Sequence, residues 1–471
     1  MKAVILAAGR GSRFGGNKDT QKVLTEVLGQ PLLERSLATL REIGITDFVV
    51  ITGFKAEAVE AFIRERRLNK LYNITIVRND EWQEGSARSV LAARDFVGPR
   101  FLVAMGDHLF DPESLRGLQR VRGAFIGVFD SDPKYVDIEE ATKTLSHRGH
   151  AKKVGKGLEE FKYVDAGLFI CTQEIFPVID KCLAQGKGEW NDVKREWLKE
   201  HEIHIYDLRG AFWLDIDTQR DRREAERLLL ERLGRPRDGI ISKYLNRPIS
   251  TRLSRYLVTT PLTPNQISFS AFLFGALAAF LFATGQHAFL IAGGVLAQVS
   301  SLLDGCDGEV ARLRGEGSSY GAWFDAVLDR MADALLIFGM TYGLYTTLKT
   351  PWPWWLGFLA LGGSLLVSYS ESRYEGAFRI PFLWDGFGLP VKRDARLLMI
   401  MLAGLFNQVA LVLLIIGVLS LAEVVRRLVV GYYAQVPFFN AACRRFRILK
   451  GEESAHQTLI PYDREEGEHL R

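Results

Sequence analysis

Cysteine is scarce in this chain of 471 residues: there are four, at positions 171, 182, 306 and 443, with no C-x-x-C spacing. That excludes a disulfide-stapled scaffold and a thiolate zinc site, and the four read as reduced, structural thiols. Strong net charge is lacking as well. A formal charge of +4 is too mild for a nucleic-acid binder, so no nucleic acid is expected as a partner. There is no internal repeat and no low-complexity tract, which sets aside solenoids and long linkers. No secretory leader opens the sequence either: "MKAVILAAGRG" passes from a short apolar run directly into glycines, so the first half is expected to stay in the cytoplasm.

What is present is unevenly spread. A mean hydropathy of +0.02 averages a charge-rich first half and a second half with long apolar runs. From residue 1 to 233, "KAVILAA", "DFVVIT", "ITIVRN", "RFLVAMGD" and "AFIGVF" read as strands, and helical periodicity fills 31–43, 56–66 and 86–96. This alternation predicts an α/β doubly wound, mostly parallel sheet, closed by a charged helix over 218–233. "GRPRDG" breaks the pattern, and the basic, apolar stretch after it predicts a hinge and a juxtamembrane interfacial helix over 234–260.

Apolar segments follow near 265–284, 288–303, 322–347, 353–370, 390–407 and 408–425. Against the roughly 20 residues needed to cross hydrocarbon, they predict an all-α six-helix transmembrane domain over 261–445, with a C-terminal tail over 446–471. Arg247, Arg252 and Arg255, then Arg312 and Arg314, then Arg373, Arg379, Lys392, Arg393 and Arg396, then Arg426 and Arg427 fall at alternate loops. The positive-inside rule places those loops and both termini on the cytoplasmic side, with Trp352, Trp354 and Trp355 as an aromatic belt opposite.

Into this apolar half, "DGCDGEVARLRGEGSSYGAWFDAVLD" sets four aspartates. Asp304 and Asp307 are three apart and Asp325 and Asp329 four apart, so each pair shares a helix face, and the glycine-rich turn between them lets two helices run antiparallel. Four converging carboxylates repel unless a cation sits among them, and all-oxygen ligation favours a hard ion such as magnesium, with manganese as a substitute. With Gly308, Ala311, Arg312 and Gly321, the spacing D-x-x-D-G-x-x-A-R, eight residues, G-x-x-x-D-x-x-x-D resembles the signature of the CDP-alcohol phosphotransferase family. That resemblance covers about 238–445. It implies a homodimer in the lipid bilayer, metal at Asp304, Asp307, Asp325 and Asp329, Asp329 as general base, and Gly308 and Arg312 against the CDP moiety. Arg373, Lys392 and Arg393 are the candidate grips for an anionic acceptor, although topology alone accounts for them equally well.

The first strand runs into "LAAGRGSRFGGNKDTQKVL". Backbone N–H groups around Gly9, Gly11 and Ser12 suit a triphosphate cradle, with Arg13 and Lys22 countering its charge. Asp107, and Asp215 and Asp217, stand where strand ends meet. Together with the A-A-G-x-G-[ST]-R opening, these features resemble the nucleotidyltransferase family that activates sugar phosphates, and most closely its cytidylyltransferases. The resemblance implies metal on Asp107 with Asp215 or Asp217, and base and ribose contacts from Asn79, Gly85 and Ser86. It leaves Lys156, Glu189 and Asp192 as substrate contacts, with a surface charge and helix caps as the alternatives. The chain departs from the family at Gln21, where proline usually precedes the lysine.

A domain that makes a CDP-alcohol fused to one that consumes it resembles bifunctional inositol-phosphate enzymes of osmolyte synthesis. That implies CTP and inositol-1-phosphate giving CDP-inositol, and then CDP-inositol and a second inositol-1-phosphate giving phosphorylated di-inositol phosphate and CMP. Three alternatives stay open: a lipid-forming CDP-alcohol phosphotransferase, a first domain that only regulates, and an ion-coupled transporter.

Overall fold

The computed structural model describes residues 1–11, 14, 21–234, 241–378, 389 and 391–434. Ser12, Arg13, Arg379, Cys443, the hinge residues 235–240 and the tail 446–471 lie outside them. The chain divides into two compact units, one of Met1–Arg235, Arg247–Ile267 and Asp304–Trp323 and the other of Pro236–Asn246, Ser268–Leu303 and Phe324–Arg471.

In the first unit, β1 (Lys2–Ala7) leads to the short pair β2 (Glu26–Val27) and β3 (Gln30–Pro31), then α1 (Leu32–Glu42) and β4 (Asp47–Thr52). Next come α2 (Ala56–Glu65), β5 (Asn73–Arg78), α3 (Ser86–Leu91), β6 (Arg100–Met105), β7 (His108–Phe110) and α4 (Pro112–Leu115). The chain continues through β8 (Phe125–Asp130), β9 (Lys143–His147), β10 (His150–Gly155), β11 (Tyr163–Thr172), α5 (Ile175–Ala184) and α6 (Trp190–Trp197). It closes with β12 (Ile203–Asp207), β13 (Trp213–Asp215) and α7 (Gln219–Glu231).

Nine strands form one sheet in the order β5-β4-β1-β6-β11-β8-β12-β10-β9. Alternate residues feed opposite faces: Ala3, Ile5, Phe48 and Val50 enter one core, and Val4, Val49 and Ile51 the other. Both faces are covered, as a doubly wound sheet requires. The pairing corrects the mostly parallel expectation. β5, β4, β1 and β6 are parallel neighbours, but β11 runs antiparallel to both β6 and β8. An apolar run such as "YVDAGLFICT" reports burial on both faces and says nothing of direction.

Two local devices place the end of this unit. β13 pairs with β7 so that Asp215 faces His108. The following helix is fixed by a capping box in which the Asp221 N–H donates to Thr218 Oγ1 at 3.2 Å and the Thr218 N–H donates to Asp221 Oδ2 at 2.6 Å. The Asp217 N–H also donates to Asp221 Oδ2, at 3.1 Å. The segment from Asp215 to Asp217 is thereby held between a strand and a helix start.

Helices make up the rest: α8 (Arg247–Leu257), α9 (Pro264–Ala283), α10 (His287–Arg314), α11 (Ser319–Leu348), α12 (Trp352–Phe378), α13 (Arg393–Phe406) and α14 (Val409–Ala434). α8 buries Ser250 and Ser254 and exposes Ile249 and Tyr256, the reverse of a water-facing helix. The six helices α9 to α14 coincide with the six apolar segments of the sequence. Three of them, Pro264–Ala283, His287–Arg314 and Val409–Tyr432, are long and apolar enough to cross a membrane. α13, with 14 residues, rises about 21 Å, short of the roughly 30 Å hydrocarbon core.

Glycines let the helices approach closely. A Cβ at Gly339 of α11 would lie 2.1 Å from the Ala279 carbonyl oxygen of α9, and one at Gly404 of α13 would lie 2.1 Å from that of Leu290 in α10. Gly339→Val is therefore expected to cost about 1–3 kcal/mol through forced separation of α9 and α11. A lowered Tm of the purified protein in detergent is the measurement that checks this.

Candidate active sites

The end of β1 hands the chain to the glycine loop, and Gly11, at φ +62, turns it. A Cβ at Gly11 would lie 2.6 Å from Lys22 Cβ, so the glycine also makes room for that lysine. Gln21 is buried, and its Nε2 donates to the Ala7 carbonyl at 2.7 Å and the Phe54 carbonyl at 3.1 Å. The residue that replaces the family's proline thus ties the loop's return to the end of β1.

Lys22 Nζ lies 2.6 Å from Asp107 Oδ2, 2.5 Å from Asp217 Oδ1 and 3.9 Å from Asp215 Oδ1. Burial alone would lower the lysine's pKa; the three carboxylates outweigh it and push it well above the ordinary lysine range. Burial works against Asp107 too, but Lys22 and His108 hold that carboxyl far below the usual range. Asp215 is pushed up to about 6, chiefly by burial. His108 packs beside the rings of Phe110 and Trp213, the three centroids 6.2 to 6.5 Å apart, with Nδ1 2.8 Å from Asp107 Oδ1. Although burial disfavours its charge, Asp215 and Asp107 raise it to about 9.

Asp107, His108 and Asp215 bring ligand atoms within 4.8 Å of one another, and Asp215 Oδ1 is buried without a hydrogen bond. An orphaned carboxylate oxygen beside a second carboxylate fits a hard divalent ion.

The remaining candidates of this half divide into two groups. Asn79 Nδ2 donates to Ser89 Oγ at 3.0 Å, inside the fold. Ser86 Oγ sits between Glu189 Oε2 at 3.1 Å and the Trp190 N–H at 2.9 Å, joining the Gly85 turn to the start of α6. Glu189 and Asp192 form the capping box of that helix. Lys156 and the neighbouring Gly157 are exposed, and a Cβ at Gly9 would meet nothing within 4 Å. One pair was passed over in the sequence: Lys194 of α6 and Asp165 of β11, buried together as an ion pair. A lone aspartate inside "YVDAGLFICT" was the available signal.

In the helical half, Gly315, at φ +63, opens the short turn between α10 and α11. On α11, carboxylate oxygens of Asp325 and Asp329 lie within 4.8 Å of each other. Two carboxylates one turn apart make an all-oxygen donor set that fits a hard divalent ion. Asp307 stands outside that group; it is buried, and its Oδ1 accepts the Gly308 N–H. Arg312 Nη2 donates to the Leu233 carbonyl at 3.3 Å.

Of the three basic candidates, Arg373 and Lys392 are exposed, whereas Arg393 Nη1 lies 2.9 Å from Asp329 Oδ1. Two further charged groups escaped the sequence reading. Glu309, inside the motif and fully buried, accepts from Ser250 Oγ at 2.7 Å and pairs with Arg247 at 2.5 Å. Asp333 is buried against Arg396, with Nη2 to Oδ2 at 2.6 Å.

Residues 3–158 match the family model described as MobA-like NTP transferase domain, and residues 261–425 match CDP-alcohol phosphatidyltransferase. A bifunctional IPC transferase and DIPP synthase of Rubrobacter xylanophilus is 41% identical over 432 residues, covering 90% of this chain and 95% of that protein. A protein of the same name from Archaeoglobus fulgidus is 33% identical over 435 residues, covering 90% of this chain and 83% of that protein. An archaetidylinositol phosphate synthase of Pyrococcus horikoshii is 32% identical over 176 residues, 37% of this chain and 87% of that protein.

Lys22→Gln removes the cation that lies against all three carboxylates. Nucleotide-dependent pyrophosphate release is expected to fall about 100-fold or more, with the far-ultraviolet circular dichroism of the protein unchanged.

Proposed function

The chain belongs to the bifunctional IPC transferase and DIPP synthase family, and from that premise we propose that it makes CDP-inositol and then consumes it. It is a transferase twice over, a nucleotidyltransferase in its first half and a CDP-alcohol phosphotransferase in its second. In the first step a phosphate oxygen of inositol-1-phosphate attacks the α-phosphorus of CTP, the α–β bond breaks and pyrophosphate leaves. The nucleophile is already anionic, so no general base is needed. His108 is held at 2.8 Å by Asp107 and is assigned no such role. Lys22 meets the negative charge of the triphosphate, and the glycine loop with Arg13 cradles it.

In the second step a hydroxyl of another inositol-1-phosphate attacks the inositol-bearing phosphorus of CDP-inositol. The bond to CMP breaks, and Asp329 takes the hydroxyl proton. Gly308 and Arg312 lie along the CDP moiety, and Arg393 faces the acceptor's phosphate. Magnesium would be held by Asp107 and Asp215 with Asp217 in the first site, and by Asp304, Asp325 and Asp329 with Asp307 in the second. It would supply neutralisation of the charge on the departing groups. The reading extends to a six-helix domain seated in a bilayer, with α13 too short by itself to span the hydrocarbon core, both termini in the cytoplasm, and a homodimer through the membrane domain; the product is a soluble osmolyte.

The observation that carries the reading is the pairing of Asp325 and Asp329 on one face of α11 in the same chain as the Lys22 cluster. A regulatory first domain has no use for three carboxylates set around a buried lysine, and an ion pathway has no use for the G-x-x-A-R part of the motif.

Incubation with CTP, magnesium and a panel of alcohol phosphates, with products identified by mass, is expected to give CDP-inositol, pyrophosphate, CMP and phosphorylated di-inositol phosphate. Asp329→Asn is expected to keep the pyrophosphate and lose the CMP; Asp107→Asn is expected to lose the pyrophosphate but still release CMP from added CDP-inositol. Turnover of phosphocholine or glycerol phosphate but not inositol-1-phosphate, or of CDP-diacylglycerol, would replace the substrate assignment.

A further inference from the structure

The acidic stripe of α11 does not end where the motif ends. Asp325, Asp329 and Asp333 are successive at four-residue steps and so share one face. The first two join the oxygen cluster; Asp333 lies one turn further along the helix, with only 5% of its side chain exposed. A carboxylate at such depth is costly unless it is paired, and this one is paired twice. Arg396 Nη2 is 2.6 Å from Asp333 Oδ2, and Arg393 Nε is 3.4 Å from Asp333 Oδ1. Ser364 Oγ of α12 donates to Asp333 Oδ2 at 3.4 Å, and Arg396 Nη1 donates to the Val391 carbonyl just before α13 at 2.9 Å.

Arg393 is therefore gripped at its Nε end by Asp333 while its Nη1 end reaches Asp329 at 2.9 Å. A guanidinium fixed at Nε has its fork aimed in one direction, and that fork matches a phosphate.

We propose that Asp333 is a positioning residue of the second site: it holds Arg393 and Arg396 together, so that Arg393 is kept beside Asp329 and aimed at the phosphate of an anionic acceptor. The inference rests on the reading that the acceptor is an alcohol phosphate. It assigns to a carboxylate outside the motif the choice of a charged acceptor over a neutral one.

The test uses the full chain in detergent, with CDP-inositol as donor and either inositol-1-phosphate or inositol as acceptor. In Asp333→Asn the KM for inositol-1-phosphate is expected to rise about tenfold, with the KM for CDP-inositol unchanged and kcat within about threefold. The preference over inositol is expected to shrink by the same factor. Because Asp333→Asn leaves two buried guanidiniums against one carboxylate fewer, Asp333→Asn combined with Arg396→Met, which removes one charge of each sign, is expected to show the same rise. Equal rises in both KM values, a fall in kcat alone, or loss of CDP-inositol binding by both variants would overturn the proposal and leave the reaction standing. A wild-type protein that does not use inositol-1-phosphate as acceptor would overturn both.

Discussion

Carboxylates gathered for phosphate chemistry repel one another before any ligand arrives, and in both halves of this chain a cation carried by the fold lies against them. Lys22 sits among Asp107, Asp215 and Asp217, and Arg393 spans Asp329 and Asp333. Without such a cation, two or three acidic groups a few ångströms apart would take up protons or push the backbone apart. The rest of the architecture can be read as what delivers these cations. Gly11 clears space for the lysine, the β7–β13 pair and the Thr218 cap hold the aspartates, and the start of α13 brings the arginine to α11.

The two cations have different tasks because the two reactions differ. A phosphate oxygen needs no proton removed, so the first site can be dominated by positive charge, and its histidine turns Nδ1 toward two aspartates. A hydroxyl does need a proton removed, and the group that removes it must remain an anion within reach of the substrate. An arginine suits that role better than a lysine. Its charge is not lost on burial, and its planar fork can lie against Asp329 on one side while being held by Asp333 on the other.

Much of this was legible in the sequence, for identifiable reasons. The strands β1, β4, β5, β6 and β8 and the six long helices follow from apolar runs of the right length, which burial dictates whatever the partner. The four membrane aspartates stood out because charge inside an apolar segment needs a reason. Strand direction was not legible, since β11 is apolar on both faces and would sit equally well parallel or antiparallel. Partnerships were hidden too. Arg396 and Arg427 lie in loops by their place in the sequence, and the positive-inside rule counts them as topology. In the fold they are buried, the first against Asp333 and the second against Glu423 and the Val367 carbonyl. A rule about where charge faces water does not see charge that is satisfied inside.

Glu189 and Asp192 teach the complementary lesson. Their place near the Gly85 turn suits a polyol, yet each already serves the start of α6, and Ser86 bridges to the same helix. Glu189 Oε2 already accepts from Ser86 Oγ and Asp192 Oδ1 lies 3.2 Å from Arg195 Nη2, but each carboxylate oxygen has two lone pairs and can accept from a ligand beside its present partner. Capping and substrate contact therefore do not compete here. The cap fixes the side-chain geometry, and a hydroxyl-rich substrate would gain from a group already held in place.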